Sequence, residues 1–257
     1  MTSKFRLYMA GLSDTGLVRA HNEDYIAWDA DLGLAVLADG MGGHKAGDVA
    51  SRLCVETLND VLLPALRNPL RVRPNKGMSR HATLVRRAVS KANGIVFDAA
   101  QNDPSYRGMG TTLVLALFHD DKVVVAHVGD SRLYRLRSGK LAALTADHSL
   151  VQQMLAQGAI DEEEARNSPY AHVITQAVGV HPKVAAEVHE LDAQPGDIYL
   201  LCSDGLTDLV EDAEIHDSLQ ATQGNWQRAV QRLVDLANRR GGRDNISVVI
   251  AAVGGPA

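Results

Sequence analysis

Three stretches of this chain share one design and lie far apart along it. Leu34, Ala35, Val36, Leu37 and Ala38 form an apolar run that stops at Asp39, and Gly40, Met41, Gly42 and Gly43 follow. Tyr199, Leu200, Leu201 and Cys202 run into Ser203, Asp204 and Gly205. Gly242, Arg243, Asp244 and Asn245 lead into the apolar run that begins at Ile246. A short apolar run bounded by turn residues reads as a buried strand. Strands from both ends of the chain then need the same core, which favours one domain over residues 1–257. A carboxylate at the end of a buried strand, beside exposed carbonyls, is a good ligand set for a hard cation, and glycine lets the backbone turn sharply and pass close to a ligand. The expectation is that Asp39, Asp204 and Asp244 meet around metal.

The rest of the chain supplies strands and a few long helices. Residues 5–12, 25–28 and 32–38 read as strands, the last two as a hairpin closed around 29–31. Val49, Leu53, Leu58, Val61 and Leu62 share one face of a helix over about 47–66. Val85, Ala88, Val89, Ala92, Ile95, Val96 and Ala99 recur at helical spacing over roughly 80–100. Four short strands follow at 111–118, 122–128, 132–137 and 141–144, with turns at His119–Asp121 and Ser138–Gly139. Such short loops make antiparallel neighbours. Residues 147–182 are polar, with short helices near 149–156 and 161–166. Strands at 185–191, 197–203 and 246–253 complete the set, with an amphipathic helix carrying Trp226, Ala229, Val230, Leu233, Val234 and Ala237 before Gly241 and Gly242. This inventory predicts a sheet sandwich covered by helices.

Composition excludes more than it assigns. With 46% hydrophobic and 22% charged residues, the 257-residue chain is that of an ordinary soluble globular protein. A net charge of −5 argues against a nucleic-acid footprint. No apolar run approaches the ~20 residues of a membrane span, and the first residues lack the apolar stretch of a signal peptide. Cys54 and Cys202 make no disulfide framework; a cytoplasmic location is expected. The basic loop with Arg67, Arg71, Arg73 and Lys76 reads as a solvated face.

Six carboxylates stand at turns or strand ends: Glu23, Asp24, Asp39, Asp130, Asp204 and Asp244. An oxygen-rich set suits Mg²⁺ or Mn²⁺ rather than zinc. A pair of such ions lowers the pKa of a shared water and makes hydroxide available near neutral pH. The target of that chemistry is a phosphoester.

The surroundings of these residues carry a resemblance. Residues 16–24 (GLVRAHNED), 38–44 (ADGMGGH), 110–112 (GTT), 127–132 (HVGDSR), 174–179 (ITQAVG), 202–205 (CSDG) and 243–245 (RDN) occur in this order. Together they resemble the metal-dependent serine/threonine protein phosphatases, the protein phosphatase 2C (PPM) family, in its compact bacterial form, over about residues 6–253. The resemblance implies an α+β fold: a four-layer α-β-β-α sandwich of two mainly antiparallel sheets flanked by helices. It implies hydrolysis of phosphoserine and phosphothreonine in proteins by direct attack of a metal-bridging hydroxide, in reversal of a serine/threonine kinase.

Site roles follow from the same resemblance. Asp39 corresponds to the carboxylate shared by two ions, Mn²⁺ or Mg²⁺. Asp204 and Asp244 complete the first ion's ligands; Glu23 and the Gly40 carbonyl serve the second. Asp24 orients water. Asp130 and Asp204 correspond to the pair that holds a third, weaker ion in bacterial members, with a loop carbonyl near His172 beside it. Arg19 corresponds to the clamp on the substrate phosphate, where a guanidinium fits two oxygens at once. Asn245 is expected to hold Asp244 in place. One position departs from the pattern: many eukaryotic members carry histidine directly after Asp-Gly, proposed as the general acid for the leaving alcohol, and here Met41 stands there. His44 and metal-bound water are the two remaining acids. Residues 147–182 correspond to the family's flap. Two alternatives remain, a catalytically inactive phosphatase fold used as a binding module and a phosphatase of an anti-sigma-factor antagonist. The expected partners are phosphorylated proteins and a cognate kinase, with neither nucleic acid nor membrane, and the expected state is a monomer.

Overall fold

Why several strands of this chain read as unbroken apolar runs is visible once they are assembled: both of their faces are covered. The computed structural model describes residues 3–42, 46–68, 72–166, 168–170, 173–222 and 224–256. In chain order the strands are β1 (Phe5–Asp14), β2 (Asp24–Asp29), β3 (Leu34–Met41), β4 (Gly110–Thr111), β5 (Leu113–His119), β6 (Lys122–Val128), β7 (Arg132–Arg137), β8 (Lys140–Ala143), β9 (Glu187–Asp192), β10 (Ile198–Cys202) and β11 (Ile246–Pro256). The helices are α1 (Ala46–Leu66), α2 (Arg80–Asn102), α3 (Leu150–Ala156), α4 (Glu162–Arg166), α5 (Asp204–Thr207), α6 (Asp212–Ala221) and α7 (Trp226–Arg239). One sheet runs β1-β11-β10-β7-β8, the other β2-β3-β5-β6-β9 with β4 on β3, and all named pairs are antiparallel.

Alternation along each strand divides its side chains between two cores. In β3, Leu34, Val36 and Ala38 face α1 and α2, while Ala35 and Leu37 face the other sheet. In β11, Val249, Ala251 and Val253 point between the sheets, and Val248, Ile250 and Ala252 pack under α7. The three cores therefore separate four layers, α-β-β-α. Phe118 and Tyr199 meet edge-to-face in the central one, at 5.1 Å between ring centres. Truncating such a fully enclosed side chain costs about 3–5 kcal/mol.

Local chemistry sets the helix ends. Ser79 caps α2 by accepting from Ala82 N–H at 3.0 Å, and Asn225 caps α7 by accepting from Arg228 N–H. The turns at Asp120 and Ser138–Gly139 have positive φ, as tight hairpins between right-twisted strands require.

Three features differ from the sequence reading. The strand that carries Asp39 does not stop there, because Gly40 and Met41 pair with Thr111 and Gly110. Helix α6 was not expected; only Ile215 and Leu219 show its buried face to a pattern search, and the third buried residue is Ser218. Finally, β6 and β7 are not paired, although three residues separate them. The chain crosses from one sheet to the other at Gly129, Asp130 and Ser131.

Candidate active site

The ends of β3 and β10, the start of β11 and the β6–β7 crossing converge at one end of the sandwich. Asp39 lies on β3 opposite Asp24 of β2. Asp204 opens α5 directly after β10, Asp244 precedes β11, and Asp130 sits on the crossing. Burial acts first on Asp39, Asp204, Asp24 and Asp130, and the neighbouring acids add to it. Burial pushes the Asp39 carboxyl well above its ordinary value, and the charges of Asp24, Asp204 and Asp130 push it further. Asp204 is raised in the same direction by burial and then by Asp130, Asp208, Asp244 and Asp24. Burial lifts Asp24 to about 6 against the opposing hydrogen bonds of Ser247 and Ser203. Asp130 also rises to about 6, through burial and then Asp147.

Carboxylates crowded in this way repel one another unless a proton or a cation stands between them. Asp24 Oδ1 and Asp204 Oδ1 are enclosed and have no hydrogen-bond partner among the described residues. Glycine 47 marks a second convergence. A Cβ there would lie 2.7 Å from Glu23 Oε2 and 2.8 Å from the Gly40 carbonyl, so those two oxygens face the same small space. Burial raises Glu23, with Arg19 acting in the opposite direction. A donor set made of carboxylate and carbonyl oxygens fits hard divalent cations.

Neutral neighbours hold these acids in place. Thr112 Oγ1 accepts from Asp39 N–H at 3.0 Å and bonds Ser131 Oγ at 2.8 Å, which ties β3 to the Asp130 crossing. Thr111 Oγ1 donates to the Asp39 carbonyl at 2.9 Å. Ser203 Oγ donates to Asp24 Oδ2 at 3.0 Å and accepts from Ser247 N–H. Sequence reading found residues 110–112 as a motif but missed this role of the threonines, along with those of Ser203 and Ser247. Hydroxyls that serve a neighbouring strand leave no periodic mark in the sequence.

Arg19 stands over the cluster, half-exposed, with Nη2 2.6 Å from Asp244 Oδ2. That bond, ahead of any other influence, raises the guanidinium pKa, so it stays charged. Asn245 does something other than expected. Its side chain holds the loop before β2, donating to the carbonyls of Thr15 and His21 and accepting from Glu23 N–H at 2.8 Å. Only its backbone N–H touches Asp244. Met41 has no proton to give, and His44 and His172 lie outside the described residues.

The segment 147–182 is fastened at both ends. Arg132 makes two parallel bonds to Asp147, at 2.9 and 2.7 Å. Thr111 and Val178 exchange backbone bonds of 3.0 and 2.8 Å, and Asn93 of α2 accepts from Gly179 N–H.

Sequence and fold comparison agree on what this assembly is. The chain belongs to the Protein phosphatase 2C family, whose profile matches residues 18–246. It is 37% identical over 247 residues to a serine/threonine phosphatase, stp, of Listeria welshimeri, covering 93% of this chain and 92% of the relative. It is 39% identical to the Mycobacterium tuberculosis serine/threonine protein phosphatase PstP, with 96% of this chain matched to 45% of that longer protein. A crystal structure of PstP superposes with a TM-score of 0.86 at 38% identity, covering 96% of this chain and 99% of that one. A second structure, of the PstP catalytic domain in complex with two manganese ions, gives a TM-score of 0.83 at 38% identity over 96% and 98% of the two chains. The chain is thus a protein-serine/threonine phosphatase, a phosphoric monoester hydrolase. Among the described residues no helix is long and apolar enough to cross a membrane.

Proposed function

We propose that this phosphatase removes phosphate from phosphoserine and phosphothreonine in proteins in a single displacement by water, and that it opposes a bacterial-type serine/threonine kinase. The observation that carries the reading is the crowding of Asp39, Asp204, Asp24 and Asp130, with Oδ1 of Asp24 and of Asp204 left unpartnered. Asp39 would be shared by two divalent ions, Mn²⁺ or Mg²⁺. Asp204 and Asp244 would complete one set of ligands, and Glu23 with the Gly40 carbonyl the other. Asp130 and Asp204 would hold a third, weaker ion. A relative's catalytic domain was crystallised in complex with two manganese ions, which supports the two-ion part of this reading. Such ions supply positive charge that makes water nucleophilic near neutral pH and offsets the charge of the phosphoryl group.

The chain's own residues do the rest. Asp24, held through Oδ2 by Ser203, turns Oδ1 toward the cluster and orients the attacking water. Arg19 exchanges Asp244 for the phosphoryl oxygens, a change of partner that its half-exposed position allows. Asn245 fixes the backbone of Glu23, and Thr112 fixes Asp39 relative to Asp130. Because attack is direct, no side chain becomes phosphorylated. Cys202 is enclosed, and burial raises its thiol to about 12, so it is no nucleophile. The leaving alcohol would take its proton from His44 or from a water held by the bound ions. The whole chain acts as one catalytic domain, as a monomer in the cytoplasm, and the segment 147–182 tunes substrate choice.

The decisive test is release of phosphate from a phosphothreonine peptide with and without Mn²⁺. Activity that needs Mn²⁺ and is abolished in Asp204→Asn supports the reading. Phosphopeptide binding without hydrolysis by the unaltered chain would instead make it a binding module.

A further inference from the structure

Behind the Asp130 crossing lies a second group of donors with different chemistry. His127 on β6 and Glu187 on β9 stand directly opposite each other in the antiparallel pair. His148 comes in from the root of the 147–182 segment, and its ring centre is 4.5 Å from that of His127. One donor atom from each of the three lies within 4.8 Å of the other two. His127 is 1% exposed and His148 7%, whereas Glu187 is exposed at the rim.

The hydrogen bonds give the free lone pair. His127 Nε2 faces the Ala146 carbonyl at 2.9 Å, so it carries the proton, and Nδ1 is left bare. That Nδ1 is enclosed and has no partner among the described residues. A histidine that gives one N–H to a backbone carbonyl and turns its other nitrogen inward is poised as a metal ligand. Glu187 is steadied from outside, its Oε2 lying 3.3 Å from His189 Nε2.

We propose that His127, His148 and Glu187 form a separate binding site for one zinc-class ion, which pins the root of the 147–182 segment to β6 and β9. Two imidazoles and one carboxylate suit zinc better than the magnesium and manganese that all-oxygen sets take. His148 now accepts from Gly129 N–H through Nδ1 at 3.2 Å and faces Glu187 Oε1 through Nε2 at 3.4 Å. To ligate through Nε2 it moves its single proton to Nδ1 and stays neutral. Gly129 N–H, 3.2 Å from Nδ1, then faces a second donor in place of its acceptor, so the Gly129 peptide must shift away from the His148 ring. Gly129 adjoins Asp130, and His148 O accepts from Thr175 N–H at 2.7 Å, so occupancy acts on the Asp130 crossing and on both strands of the segment's neck.

The test is zinc titration of the full chain in excess Mn²⁺, with metal content measured after desalting and the zinc X-ray absorption edge fitted for imidazole. A single equivalent of zinc with two imidazole neighbours, and proteolysis within 147–182 slowed by zinc, are expected. Glu187→Gln and His148→Gln should each weaken retention by at least about 10-fold. Glu187 lies at the surface, so its variant remains informative even if the His148 variant misfolds. Zinc retained equally by Glu187→Gln, zinc without imidazole neighbours, or zinc displaced by Mn²⁺ would each overturn the site.

Discussion

Two carboxylates taken from strand ends of the same sheet receive opposite treatment. Asp197, just before β10, is 1% exposed and completely partnered. Arg137 bonds both of its oxygens at 2.6 Å, and Tyr199 Oη and Gln194 N–H add two more bonds. Asp204, just after β10, is surrounded by other acids and keeps an enclosed oxygen without a partner. A buried charge with a full set of hydrogen bonds holds structure together, and a buried charge without one is tolerated only where something else is to be bound. The two ends of a five-residue strand thus separate the part of the molecule that braces from the part that reacts.

The largest effect that sharpens this contrast is on turnover. Asp204→Asn should lower Mn²⁺-dependent phosphatase activity by on the order of 10³-fold, yet raise the melting temperature of chelator-treated protein, because one repelling charge is gone. A lower melting temperature would mean that Asp204 braces the fold as Asp197 does. At the other end, Arg137→Ala should destabilise the protein by about 3–5 kcal/mol, since it strands the Asp197 charge. Urea denaturation reads that loss, and kcat at a permissive temperature should stay unchanged.

Arg19→Lys should reduce kcat/KM by roughly 10–100-fold while leaving the melting curve in place, because an ammonium does not reproduce the two-oxygen fit. Equal rates for the two proteins would remove Arg19 from the phosphate site. The smallest effect is the dependence on pH. Folding lifts Asp24 and Asp130 to about 6, above the ~3.9 of an unfolded chain. Their contribution is therefore fully present below about pH 4 and is lost as pH rises through 6. Chelated protein should lose up to about 3 kcal/mol per group between pH 4 and 7. Asp24→Asn should flatten that slope, and saturating Mn²⁺ should offset it; a wild-type slope of zero would show that these carboxyls are reached by water and not buried.

What could be read from sequence followed from burial on two faces. Strands β3, β5 and β10 are continuous apolar runs because a helix layer lies on one side and a second sheet on the other; the bounds read for β5 and β10 lie within two residues of those observed, whereas β3 runs three residues further, to Met41. Helices α1, α2 and α7 showed themselves by period. Helix α6 did not, since its inward face is two aliphatics and a serine. β4 merged with β5 in the reading because only Thr112, which turns its hydroxyl to Asp39, divides them. The carboxylates of the site were legible as types at strand ends. Their supports were not: Thr112, Ser203, Ser247 and the true reach of Asn245 depend on which strands lie side by side.

Sequence alone determined that acids terminate apolar strands, that helices cover a sandwich, and, through ordered motifs, which family those features suggest. Tertiary structure alone decided that residues as distant as Asp39 and Asp204 share one space, and that Arg19 reaches Asp244 across 225 positions. It also brought His127, His148 and Glu187 together from three separate segments. The reason is that apolar periodicity is a local consequence of burial, whereas the meeting of charges is set by strand order, which no local pattern encodes.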